Sequence, residues 1–339
     1  MEMALRSAYH APSRQPMSMS PLCIKGESGG VKREPPGGGL LYWRGCLLWH
    51  IVRLLHALIT FRRVSMATTG QSAPHVKARR DKPAEYPERF PVPDHLVGWE
   101  SAYPAYDPPY YVSPVVLEND SSRNPAGWAD PEQLSPADAP QESLCGALRH
   151  DERGRALNSA GRTGLAGRGL LGKWGPNYAA DPIITRINRR ENRLELLAIQ
   201  RRDNGQWAIP GGMVDRGELV TRTLARELVE ETGVSLDMER ARFIYQGYVD
   251  DPRNTDHAWM ETTAKHLHLD PDMAEQLEPR AGSDARAVRW LPLTAETIAS
   301  LYASHCVLVK KALELLCQGG RTGMSEADRQ LVQALLHVV

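Results

Sequence analysis

One helix limits what this chain can be. Leu219 to Thr232 carries helical spacing and stops at Gly233, a residue suited to a left-handed C-terminal cap. At 100° per residue, Glu227, Glu230 and Glu231 fall in one arc of about 100°, while Leu224, Ala225, Leu228 and Val229 lie on another and can pack the helix down. Three acids at i, i+3 and i+4 repel by a few tenths of a kcal/mol per pair, so this face needs either solvent or a bound cation. Oxygen ligands on a face that retains water suit Mg²⁺, with Mn²⁺ the alternative, and either ion can bridge to phosphate oxygens. For the three glutamates alone, a solvated acidic face is the competing reading. Arg226 and Glu218 are placed to fix the helix against the loop before it.

The helix belongs to a longer pattern. Gly-x5-Glu-x7-Arg-Glu-apolar-x-Glu-Glu-x-Gly-apolar, begun at Gly212, is met at all nine specified positions. Ordinary residue usage would meet it about once in 10⁹ start positions. The segment resembles the Nudix box. That resemblance implies an α/β fold, a Nudix α/β/α sandwich with a mixed sheet, in which the box forms a loop, a helix and a second loop. It also implies that Glu227, Glu230 and Glu231 hold magnesium, helped by the backbone carbonyl of Gly211. The catalytic set it implies is Arg226, Glu227, Glu230 and Glu231, and the substrate class is a nucleoside diphosphate linked to another moiety.

The flanking text divides the chain. Residues 181–339 alternate strands and helices and are expected to form the Nudix domain. Ile183 to Ile187 and Leu194 to Ile199 read as a hairpin, Trp207 to Ile209 as a short strand, and Phe243 to Val249, Ala258 to Leu269 and Ala287 to Leu291 as further strands. Thr294 to Leu316 reads as one helix with a broad apolar side. Residues 67–180 are expected to form a smaller, irregular β-rich domain: Pro83, Pro87, Pro91, Pro93, Pro104, Pro108 and Pro109 prevent long helices, and large rings crowd among them. A linker has little use for rings that bury about 150–250 Å² each. The glycine-dense run from Gly161 to Gly169 lacks the spacing of a phosphate-binding fingerprint, and a flexible hinge is its plain reading.

Three segments narrow the resemblance: Gly161 to Arg186, Trp207 to Asp215, and Tyr248 to Thr262. They are similar to the mitochondrial ADP-ribose pyrophosphatases of animals, and equally to the ADP-ribose-sensing domain of melastatin-type cation channels. The likeness covers roughly residues 90–315. Asp251 and Arg253 flank a proline that stiffens their turn, offering an acceptor for ribose hydroxyls and a guanidinium for phosphate or adenine. The family's ligand contacts fall on Asp251, Arg253, Tyr302 and His305, the last two read as one helical turn apart. The implied reaction is metal-dependent hydrolysis of ADP-ribose to AMP and ribose 5-phosphate, with Glu230 or Asp284 as the acceptor of the water's proton. Two alternatives stand beside it, a non-hydrolysing ADP-ribose sensor and a Nudix hydrolase of another nucleoside diphosphate derivative. The intact core from Arg226 to Glu231 favours catalysis. Ser283 stands before Asp284 where the related enzymes look more acidic, and Arg216 stands where proline is frequent.

Composition excludes other classes. Lys+Arg and Asp+Glu are both 41 in 339 residues, so no global field collects nucleic acid or anionic membrane. The cysteines, Cys23, Cys46, Cys145, Cys306 and Cys317, show no C-x-x-C pair and read as reduced thiols. Residues 1–66 carry nine basic side chains against three acidic ones. Their apolar stretch is broken by Arg44 and Arg53, so it suits an amphipathic transit segment better than a membrane span. A mitochondrial monomer is therefore expected, and a start at Met66 would give a cytosolic form. An unstructured leader is the competing reading.

Overall fold

The computed structural model describes residues 75–135, 137–282, 285–318 and 324–338, which belong to one compact unit. The leader reading, Met66, Cys23, Cys46, Ser283 and Asp284 lie outside the described residues.

The N-terminal part is built from short pieces. Helix α1 (Val76–Arg80) is followed by β1 (Tyr110–Val112), α2 (Pro114–Glu118), the two-residue pairs β2 (Glu142–Ser143) with β3 (Gly146–Ala147) and β4 (Arg149–His150) with β5 (Ala156–Leu157), and β6 (Ala166–Gly169). Its aromatic richness has a structural use. Trp99, Tyr103 and Tyr106 surround the Arg162 guanidinium at 4.9, 5.9 and 5.3 Å. The same guanidinium donates to the carbonyls of Leu96, Gly98 and Ser101. Rings and carbonyls together replace the water that burial removes from the charge.

The glycine run is no hinge. It is buried and held: Asp256 accepts from the Thr163 amide and hydroxyl at 2.7 and 2.8 Å and from the Tyr106 hydroxyl at 2.6 Å. Gly167 shows why the run is glycine-rich, since at φ 91° a Cβ there would sit 2.4 Å from the Tyr111 carbonyl oxygen. The glycines let one backbone lie directly on another.

The second half is an α/β sandwich around a mixed sheet. Its strands are β7 (Gly175–Asn188), β8 (Arg193–Arg201), β9 (Trp207–Ala208), β10 (Gly212–Met213), β11 (Arg242–Tyr248), β12 (Ala258–His268) and β13 (Ala285–Pro292). The order is β11-β12-β7-β8-β13, with β10 paired to β7 and β9 to β8. Within this sheet, among the described residues, β12–β7 is the one parallel pairing. The helices are α3 (Val220–Thr232), α4 (Pro271–Gln276), α5 (Ala295–Ala299), α6 (His305–Cys317) and α7 (Glu326–Val338). β7 is buried on both faces, and period-two alternation sorts its side chains. Ile183 and Ile187 pack with Leu308, Val309 and Leu313 of α6 and Val332 of α7. Ala180 and Ile184 pack with Leu224 and Leu228 of α3. β7 also runs unbroken through residues 180 and 181, so one strand serves both halves of the chain.

Two local readings need correction. The helix expected over Thr294 to Leu316 is two helices, because the Tyr302 amide is spent on the Trp207 carbonyl at 2.9 Å and Ala303 turns left-handed at φ 45°. Tyr302 therefore lies in the connecting turn, and His305 opens α6. Val229, expected to pack α3 down, is 46% exposed, because Leu224 and Leu228 define the buried stripe. Cys145, Cys306 and Cys317 are free thiols, and among the described residues no helix is long and apolar enough to cross a membrane.

Candidate active site

α3 starts without a side-chain cap from its own N-cap residue, Leu219. Glu218 instead ties the first turns together through side chains. Its carboxylate accepts from Thr223 Oγ1 at 2.8 Å and from Arg226 Nε and Nη2 at 3.1 and 2.9 Å. Burial alone would raise the Glu218 carboxyl, but these bonds overrule it and hold it below the ordinary range. Arg226 also donates to the Met213 carbonyl at 3.1 Å, to Glu227 Oε1 at 2.7 Å and to Glu230 Oε2 at 3.1 Å. One guanidinium thus ties the loop to the helix and neutralises part of the acidic face. The helix ends as its sequence requires, with Gly233 left-handed at φ 67°.

The loop before α3 lies against the glutamates. The Gly211 amide donates to Glu231 Oε2 at 2.9 Å, and a Cβ on Gly212 would fall 2.3 Å from Glu227 Oε1. Glu227 and Glu231 are each 8% exposed, whereas Glu230 faces solvent. Among the described residues no three His, Cys, Asp or Glu side chains already converge in ion-holding geometry. The glutamates are engaged by Arg226 and by Gly211. The donor set nevertheless fits a hard divalent cation: three carboxylates share one helical face, one of them is open to solvent, and two abut a loop whose glycine leaves room that a Cβ would fill.

The four residues assigned to substrate contact come together. Arg253 donates from Nε and Nη2 to the two oxygens of Asp251 at 2.9 and 2.8 Å, and its amide donates to Asp251 Oδ1 at 2.8 Å. Acceptor and guanidinium, expected to face a ligand separately, hold each other across Pro252. The Tyr302 hydroxyl reaches Asp251 Oδ2 at 3.5 Å, and its ring meets the His305 ring edge-on at 5.8 Å. His305 Nδ1 accepts the Ile209 amide proton at 2.9 Å, which leaves the ring's other proton on Nε2. Burial, with the charge of Arg201 behind it, lowers this imidazole to about 3. A neutral Nε2–H donor results, suited to a hydroxyl or phosphate oxygen.

Two residues were missed by motif reading. Arg201 lies over the Tyr302 ring at 4.1 Å, at the end of β8. Asp181 lies on β7, where its Oδ1 would be 2.4 Å from a Cβ on Gly211, and it accepts from Thr262 Oγ1 at 2.6 Å. Burial pushes its carboxyl up to about 6, against the Thr262 hydrogen bond and the charge of Arg253. Nothing in the spacing of either residue marks it; only the fold brings them beside the motif. Asp284, the alternative proton acceptor, lies outside the described residues.

These parts share one short segment. Ile209 binds His305 at one end, and two residues on Gly211 binds Glu231. The carboxylate helix and the Asp251–Tyr302–His305 cluster are therefore coupled through Ile209-Pro210-Gly211.

Comparison with known proteins agrees with this architecture. The NUDIX domain model matches residues 179–307, and the "NUDT9-like, N-terminal domain" model matches residues 92–175. A Caenorhabditis elegans protein described as a nudix hydrolase is 44% identical over 236 residues, covering 64% of this chain and 87% of its own length. The mitochondrial ADP-ribose pyrophosphatase of Rattus norvegicus is 40% identical over 280 residues, covering 71% of this chain and 78% of its own. The transient receptor potential cation channel subfamily M member-like 2 of Nematostella vectensis is 39% identical over 281 residues, but the match spans only 18% of that channel. With the NUDIX model matching its box-bearing half and relatives 44% and 40% identical matched over 87% and 78% of their own lengths, the chain belongs to the Nudix hydrolase family.

Proposed function

We propose that this chain hydrolyses the pyrophosphate bond of ADP-ribose, releasing AMP and ribose 5-phosphate, as a monomer dependent on Mg²⁺ or Mn²⁺. The observation that carries the reading is the shared Ile209–Gly211 segment, which sets a carboxylate face and a polar, arginine-bearing cluster at its two ends. A substrate with a diphosphate beside a terminal ribose needs both. The rat relative named for this activity supports the choice over other diphosphates.

Glu227, Glu230 and Glu231 would hold the ion, with the Gly211 carbonyl as a further oxygen. When bound, the ion supplies charge neutralisation at the pyrophosphate and lowers the pKa of a coordinated water. The protein supplies the rest. Arg226 fixes the loop on the helix, so the carboxylates keep their places relative to Gly211. Arg253 and the His305 Nε2–H present donors to anionic and hydroxyl oxygens, while Asp251 and the Tyr302 hydroxyl present acceptors. Glu230, the solvent-facing member, is the group within the box best placed to take a proton from water.

The sensor reading loses ground because every acid of the box is present. The test is product analysis on a nucleotide panel with Mg²⁺, Mn²⁺ or a chelator. ADP-ribose should be cleaved fastest, and chelation should abolish turnover. Faster cleavage of a sugar nucleotide or a dinucleoside polyphosphate would overturn the assignment. Residues 1–66 are proposed to direct mitochondrial import, checked by imaging their fusion to a fluorescent protein; a diffuse cytosolic signal would refute it.

A further inference from the structure

We infer that residues 75–78 brace the substrate cluster, with Lys77 as the positioning residue that sets the Asp251–Arg253 turn against the Tyr302–His305 turn. The inference rests on the reading of those four residues as a substrate pocket.

The brace begins with a helix capped from far along the chain. His75 gives α1 no side-chain cap. Its place is taken by Asp250, whose Oδ2 accepts the Lys77 amide at 3.0 Å and whose Oδ1 accepts the Ala78 amide at 2.8 Å. First-turn amides need such acceptors, so the helix and the carboxylate stabilise each other. Asp250 is the residue immediately before Asp251. From the same residue, the Lys77 ammonium donates to the Ala303 carbonyl. Ala303 lies between Tyr302 and His305 and carries the left-handed φ of 45° that turns the chain into α6. Lys77 therefore holds both turns at once, one through its backbone and one through its side chain.

Neighbouring bonds close the frame. Ser304 Oγ donates to the Asp250 carbonyl at 3.0 Å. His75 Nδ1 meets the Tyr248 hydroxyl at 2.9 Å, and Asn254 Nδ2 donates to that hydroxyl at 2.9 Å. The brace thus grips the substrate turn on both sides, at Tyr248 and Asp250 before it and through Asn254 after it. Lys77 makes no side-chain hydrogen bond to the four substrate residues; it holds the two turns through Asp250 and Ala303, and its charge also bears on the His305 ring.

A brace of this kind affects recognition more than chemistry, because the carboxylate helix, although linked to the cluster through Ile209–Gly211, is also fixed to its own loop by Arg226 and Glu218. The experiment is steady-state ADP-ribose hydrolysis by the full chain with Mg²⁺. Lys77→Met should raise KM about tenfold with kcat within about twofold, and Lys77→Arg should recover most of the loss. Asp250→Asn, which disturbs the same amides, should show the same split and guards against a Lys77 variant that fails to fold. Combined with Arg253→Ala, Lys77→Met should add less than about twofold to KM, since both act on one pocket. Unchanged KM in both Lys77→Met and Asp250→Asn, with Arg253→Ala impaired, overturns the brace alone. Full multiplication of the two effects also overturns it. Unchanged KM in Arg253→Ala overturns the pocket reading itself.

Discussion

Glu231 accepts the backbone N–H of Gly211 at 2.9 Å, so the residue before the Nudix box is hydrogen-bonded to one of the box's last acids. The loop cannot move without disturbing the carboxylate face. Gly211 sits at φ 156°, and a Cβ there would lie 2.4 Å from Asp181 Oδ1 and 2.7 Å from the Ala180 carbonyl. Gly211→Ala should therefore displace the loop and lower kcat/KM at least a hundredfold. A variant within tenfold of wild type in a steady-state assay would show that the loop's position is unimportant.

Glu230→Gln and Glu231→Gln should each slow hydrolysis by orders of magnitude while leaving the circular dichroism spectrum unchanged. Both substitutions keep shape, and Glu231→Gln keeps an acceptor for Gly211. What they remove is the charge a divalent ion needs. A fall of less than about tenfold in both, only about 1.4 kcal/mol, would mean that neither acid holds the ion.

Arg253→Ala and His305→Ala should raise KM for ADP-ribose and weaken discrimination against other diphosphates. The structure adds a stability cost to each. Arg253→Ala leaves the Asp251 carboxylate, 2% exposed, without its bidentate partner, and His305→Ala leaves the Ile209 amide unsatisfied. Both variants should melt below wild type in a thermal scan. Unaltered kinetics in both would mean that these side chains do not touch substrate.

Histidines set the acid limit of the fold. Burial lowers His266 and His305 to about 3, and His75 and His268 to about 4. In the unfolded chain they titrate near 6.5, so between there and about 4 the unfolded state binds more protons and stability falls as pH falls. Each can contribute up to about 1.4 kcal/mol per pH unit across that window. Urea unfolding should give a flat free energy from pH 8 to 7 and a decline starting near 6.5. His266→Gln should make the decline shallower, and a decline confined to the carboxylate range would refute this account.

The box was legible because its chemistry is local: helix spacing alone puts Glu227, Glu230 and Glu231 on one face, and Gly233 ends the helix. Most strands of the sheet were legible from their apolar and β-branched runs, but β10 was not, and β7 begins at Gly175, eight residues before the run from Ile183 that marks it. Other features depend on contacts between distant parts of the chain. Nothing in the text from Thr294 to Leu316 announces a break, because the Tyr302 amide is drawn away by Trp207, about 95 residues earlier. The Gly161–Gly169 run reads as loose, yet it is buried because Asp256 and the aromatic segment close over it. Asp181 carries no motif and matters only because β7 passes beside Gly211.

The central claim is that this site cleaves ADP-ribose and does not merely hold it. The most direct measurement mixes equimolar full-length protein and ADP-ribose with millimolar Mg²⁺, quenches over time and separates the nucleotides. AMP and ribose 5-phosphate are expected in equal amounts as ADP-ribose disappears, with no AMP when the ion is chelated. Bound ADP-ribose recovered intact, with no AMP at any time, would contradict it.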